Sequence, residues 1–179
     1  MKKFLSYCFL YDDTNDLRCD FEILSDEISS LIGLLRSIVL DKNLQDDLSK
    51  VNELMYHINP TLRTKLLVTE SEFDWLYQKT QKLQEETENI LPDFNSETSS
   101  LPKFVLPQGC TAACISHVIR SKCKVLVRLL SRHKQQGHDI DVLLFNFTNL
   151  YSGYFYFLAL KLNCLEGIKE TEFKSRAYK

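Results

Sequence analysis

Apolar residues recur along most of this chain at intervals of three and four, the spacing that lines one face of an α-helix. Ile28, Leu31, Ile32, Leu35, Ile38 and Val39 make the first such stripe. Ser25 is placed to cap it, and Asp26 and Glu27 fall in its first turn, where the helix dipole favours negative charge. A second stripe over about Asn43 to Ile58 uses Leu44, Leu48, Val51, Leu54, Met55 and Ile58, and Pro60 marks its end. Thr69 followed by Glu72 is a capping box for a third helix through Phe73, Leu76, Tyr77, Leu83 and Ile90. A fifth, from about Ile140 to Leu162, is apolar almost all round and rich in Phe and Tyr, which predicts the most buried helix of the set. Residues 1–24 alternate only weakly and read as an arm or short strand; 25–165 read as one helical domain, and 166–179 as a loose polar tail.

The fourth helix follows a Pro- and Ser-rich loop, 92–107, and a Pro-Gln-Gly turn. Wound at about 100° per residue, it places Ile115, Ile119, Leu126, Leu129 and Leu130 on one side. His117, Arg120, Lys124 and Arg128 fall on the other, within an arc of roughly 80°. Three cations and an imidazole on one line repel each other, so the row is either a face bathed in water or a site for an anion. Spacing alone leaves both open.

With 179 residues, 44% of them hydrophobic, the chain is one domain with enough bulk for a real core. Its net charge of −2 gives no electrostatic case for nucleic acid or an anionic membrane as partner. The six cysteines form no CxxC pair, which points to reduced thiols in an intracellular compartment, taken as cytoplasmic with an organelle left open. Cys110, Cys114 and His117 could share a helical face, but they do not reach a zinc ligand set, and no metal site is expected. The opening MKKFLSYCFLY has too short an apolar run, and no small-residue cleavage site, for an export signal. The aromatic fifth helix is interrupted by Asn146, Asn149, Ser152 and Lys161, which argues against a membrane span.

Three segments, in order, resemble the PduO-type ATP:cob(I)alamin adenosyltransferases. Phe104, Leu106, Pro107 and Gly109, then His117, Arg120, Cys123 and Arg128, match that family's lead-in and signature helix without a gap, with Lys124 replacing the first of its paired arginines. Asp26, Glu27, Ile32 and Gly33 are similar to its first-helix motif, and Asn149, Ser152 and Tyr154 to its last. The resemblance covers about residues 20–165 and implies an all-α, up-and-down five-helix bundle, commonly a homotrimer with sites between subunits. The implied ligands are ATP with Mg²⁺ and cobalamin. Carried over residue by residue, it implies that Asp26 pairs with Arg120 to close the site, that His117, Lys124, Arg128 and Asn149 face ATP, and that Phe104 packs on the corrin.

The departures fall where phosphate chemistry would suffer. The family's glycine-bearing triphosphate loop has no counterpart, since no glycine precedes Gly33. The second paired arginine is Val125, the signature glutamate is Val127, and Leu150 and Gly153 replace an arginine and an aspartate. Losing one electrostatic stabiliser costs on the order of 10²–10³ in rate, so the expectation is adenosyl transfer that is weak or lost. The alternative is a catalytically inactive helical bundle serving as an interaction subunit.

Overall fold

In a computed structural model, which describes residues 13–64, 66–90, 104–173 and 176, five helices form an all-α up-and-down bundle. They are α1 (Leu17–Ile38), α2 (Lys42–Ile58), α3 (Glu70–Ile90), α4 (Thr111–Gln135) and α5 (Val142–Leu165). The export reading of the first eleven residues and most of the 92–107 loop lie outside the described residues. Around the bundle, α1 packs between α2 and α4, and α5 between α4 and α3. α5 supplies much of the centre, with Phe147, Tyr151, Phe155 and Leu158 fully enclosed, as its nearly uniform apolarity predicts. The Tyr151 hydroxyl crosses the core to donate to the Val51 carbonyl at 3.1 Å, so even the polar tip of this ring has a partner.

α1 begins eight residues before the expected cap. Asp16 is the N-cap, accepting from the Arg18 N–H at 3.0 Å, and the Arg18 side chain on the same carboxylate holds its pKa well below the usual range. Leu17, Phe21 and Leu24 extend the apolar stripe back from Ile28, so burial carries the helix into the segment read as an arm. Ser25 is buried in mid-helix, donating to the Glu22 carbonyl at 3.0 Å and accepting from Asn59 Nδ2 at 2.7 Å. Its hydroxyl ties α1 to the end of α2 instead of starting a helix.

The other starts follow the sequence. Asp41 caps α2 through the Leu44 N–H at 2.8 Å. At α3 the Thr69 N–H donates to Glu72 Oε2 at 2.8 Å and the Glu72 N–H returns to Thr69 Oγ1 at 3.3 Å, the reciprocal box. His57 of α2 sits on the rim against Glu72.

Part of the segment read as a tail, residues 171–173, pairs with the lead-in of α4. Val105 and Glu172 form an antiparallel bridge, flanked by the Leu106 N–H donating to the Thr171 carbonyl at 2.9 Å and the Phe173 N–H donating to the Phe104 carbonyl at 2.9 Å. Backbone groups that would otherwise need water are satisfied by pairing the lead-in of α4 with the residues that follow α5.

Candidate functional site

α4 is launched by Gly109, whose φ of +126° lies where a Cβ is strained, and by Cys110, whose sulfur accepts from the Ala113 N–H at 3.4 Å. From there the helix is wedged between α1 and α5, so its buried arc is wider than a single stripe. Of the expected apolar side, Ile119, Leu126, Leu129 and Leu130 are buried and Ile115 is half-buried, and Cys123 is buried with them.

His117 departs from the expected cationic line, because the wide buried arc takes it in. It is 4% exposed, neither ring nitrogen has a hydrogen-bond partner, and burial together with the Arg120 charge lowers its pKa to about 4. At neutral pH it is an uncharged imidazole beside a guanidinium.

Arg120 is half-buried. Its guanidinium lies over the Tyr156 ring of α5, 5.4 Å from the centroid, and its Nε is buried without a partner. One and two turns on, Lys124 and Arg128 are exposed, and the Lys124 pKa is lowered by desolvation and by the Arg120 charge. None of these three cations has a carboxylate within ion-pair distance among the described residues, whereas Lys122 on the same helix binds Glu27 of α1 at 2.6 Å. Among the described residues the α4 row is therefore a line of positive charge without a counter-charge, with two unpartnered ring nitrogens and an unpartnered guanidinium nitrogen behind it.

The single chain does not pair Asp26 with Arg120. The Asp26 carboxylate accepts from the Tyr56 hydroxyl of α2 at 2.9 Å, while Arg120 is turned to α5, so the two look toward different neighbours. Asn149 is exposed on α5, and Phe104 stands 41% exposed at the start of the paired lead-in. Val125, in place of the second paired arginine, is 50% exposed, on a surface where an arginine would fit without burial. Sequence reasoning missed Tyr156, which supports Arg120, and the Glu27 to Lys122 pair. Glu27 stood out only as a first-turn acid, and the aromatic run of α5 gave no sign of which ring faces a cation. Among the described residues no group of three or more His, Cys, Asp or Glu side chains could hold a metal, and no helix is long and apolar enough to cross a membrane.

Residues 14–162 match the cobalamin adenosyltransferase family profile, and the chain belongs to that family. It is 25% identical over 170 residues to the corrinoid adenosyltransferase of Bacillus subtilis (strain 168), covering 92% of this chain and 84% of that protein. Among solved structures it is similar to a phenylalanine-to-histidine variant of the PduO-type ATP:corrinoid adenosyltransferase from Lactobacillus reuteri, complexed with cobalamin and ATP. There the identity is 20% and the TM-score 0.73, with 90% of this chain and 86% of that one covered. An arginine-to-lysine variant of the Lactobacillus reuteri enzyme, complexed with ATP, gives 23% identity and a TM-score of 0.73, with 89% of each chain covered. These structural likenesses bear on the fold.

Proposed function

We propose that this protein binds the triphosphate of ATP, and a corrinoid beside it, on the α4 row, and that adenosyl transfer to the corrinoid is weak or lost. The observation that carries the reading is the row itself: Arg120, Lys124 and Arg128 have no intrachain counter-charge among the described residues, and Lys124 already feels Arg120. A triphosphate would supply the missing negative charge, with Mg²⁺ arriving on the nucleotide because the described residues offer no cluster for it. The neutral, buried His117 and the half-buried Arg120 give the row a partly dry floor, where a charge-assisted hydrogen bond is worth more than in water.

In the transfer reaction, the electron pair of Co(I) forms a bond to the 5′-carbon of ATP while the carbon–oxygen bond breaks and triphosphate leaves with its electrons. Charge grows on the leaving group, so every cation counts. Val125 and Val127 can hold neither a charge nor a proton, and the sequence offers no glycine before Gly33 for a phosphate loop. Binding is thereby favoured over catalysis.

A homotrimer is part of the proposal. Asp26 and Arg120, unpaired with each other inside one chain, are free to meet across a subunit boundary. Ile23 and Leu34 of α1 and Val118 and Val125 of α4 are each about half exposed, on helices joined by the Glu27 to Lys122 pair. Cys110, Cys114, Cys123 and Cys164, none in a disulfide, agree with a reducing, cytoplasmic setting.

The test is thermal unfolding with and without millimolar ATP and Mg²⁺, followed by anaerobic incubation with ATP and chemically reduced cobalamin. ATP should raise the melting temperature, Arg120→Ala should abolish the rise, and the carbon–cobalt spectrum should develop slowly or not at all. No shift with any nucleotide would leave the inactive interaction subunit as the reading, and a shift unchanged in Arg120→Ala would move the anion site elsewhere.

A further inference from the structure

The stretch that carries Phe104 is gripped from behind by a residue no part of the proposed site uses. Asn163, near the end of α5, is 1% exposed. Its side-chain oxygen accepts from the Cys110 N–H at 3.0 Å, and its amide nitrogen donates to the Gln108 carbonyl at 2.9 Å and to Glu170 Oε1 at 2.8 Å. One carboxamide thus touches the lead-in, the cap of α4 and the C-terminal segment. Gly109 leaves room for it: a Cβ built there would fall 1.9 Å from Asn163 Oδ1 and 2.4 Å from its Cγ. The opposite edge of the lead-in is held by the Thr171 and Phe173 backbone and by Gln108 Nε2 donating to Thr171 Oγ1 at 2.8 Å.

We propose that Asn163 is a positioning residue for Phe104, fixing the lead-in against the first turn of α4 so that the phenylalanine ring and the α4 cations keep one relative placement. The proposal rests on the corrin reading above. The role needs one acceptor and two donors on a single short side chain, which an asparagine provides. An aspartate would lose both donors and set a carboxylate against Glu170, whose own carboxyl is already raised in pKa by burial. Phe173 offers a second handle at the other edge, since proline there deletes the N–H that holds the Phe104 carbonyl, at a side chain that is 48% exposed.

The experiment compares the wild-type chain with Asn163→Asp and Phe173→Pro in three measurements: amide hydrogen exchange, the ATP-dependent melting shift, and the absorption change of cob(II)alamin on losing its lower ligand in the presence of ATP and Mg²⁺. Both variants should speed exchange across residues 104–110 by about tenfold or more, leave α2 protected, and cut the cob(II)alamin response about fivefold. Apparent ATP affinity should stay within about twofold, a split that general destabilisation would not produce. Unchanged exchange in Asn163→Asp would overturn the anchor, and faster exchange with a full cob(II)alamin response would overturn positioning. A wild-type chain that shifts with ATP yet never perturbs cob(II)alamin would overturn the corrin reading and this proposal together. Failure of positioning alone is distinguishable from that, because wild type and variants would then respond equally.

Discussion

His117 makes acid stability a direct probe of the candidate site. Its pKa is 6.5 in an ordinary setting and about 4 in the fold. Between those values the unfolded chain binds the proton more tightly, so stability is complete above about pH 6.5 and falls as pH drops toward 4. Linkage gives a loss of about 1 kcal/mol at pH 6 and about 2 kcal/mol at pH 5 from this one group. His133 is also lowered, first by burial, and tilts the profile the same way, so the measurement has to be a difference. His117→Phe puts a somewhat larger apolar ring in place of the imidazole and removes two nitrogens that have no partners, so it sacrifices no hydrogen bond, and the stability of each protein at pH 7.5 sets the baseline from which its loss is counted. Urea unfolding of both proteins at pH 7.5, 6 and 5 should show the wild type losing about 2 kcal/mol more than the variant on reaching pH 5. Parallel losses would refute the argument, since they would mean that the imidazole titrates the same way folded and unfolded. The triphosphate reading adds a second signature. An anion on Arg120 cancels one of the two causes of the lowered pKa, so ATP should draw a proton onto wild-type His117 near pH 5.5 and none onto the variant, read by calorimetry in buffers of different ionisation heat.

Gly109→Ala should be among the most damaging single changes. Backbone strain of about 1–3 kcal/mol adds to the displacement of Asn163 and its three hydrogen bonds, about 1 kcal/mol each, and a urea midpoint showing less than about 1 kcal/mol of loss would contradict it. Thr69→Ala removes half of the α3 capping box and should cost about 1 kcal/mol, with no change in the ATP-dependent melting shift. Val125→Arg replaces a half-exposed valine beside the cation row, and should raise ATP affinity severalfold in a titration while leaving stability within about 0.5 kcal/mol. Restoring Val127→Glu with it should raise the rate of carbon–cobalt bond formation over Val125→Arg alone.

Local signals were readable wherever they were also sufficient. The Thr69 and Glu72 box, the stop at Pro60 and the unbroken apolarity of α5 each depend on a few neighbours in the chain, and the fold keeps them. The start of α1 was harder, because Asp16, Leu17, Phe21 and Leu24 signal a helix only once α2 and α4 are present to cover the stripe; Ser25, a good cap by residue type, is held by Asn59 instead. His117 fell on the charged side of a two-sided wheel, but α4 has neighbours on both flanks, and the buried arc takes it in. The Asp26 and Arg120 pairing came from resemblance, and a chain with Asp26 on Tyr56 and Arg120 on Tyr156 leaves it to be made between copies or not at all. The Asn163 contacts to Cys110 and Gln108 join residues more than fifty positions apart, and no periodicity reports such a juxtaposition.

The pairing of residues 104–106 with 171–173 also sets an order of events during synthesis. Thr171 emerges 63 residues after Gln108, its side-chain partner, so a growing chain has made all of α4 and α5 while the edge beside Phe104 still lacks its mate. Until residues 171–173 arrive, that edge offers open backbone donors and acceptors to any passing strand. The edge beside Phe104 is therefore finished only after both of those helices have been made, and a ribosome stalled just short of Thr171 would hold a bundle with its helices made and that edge unpaired.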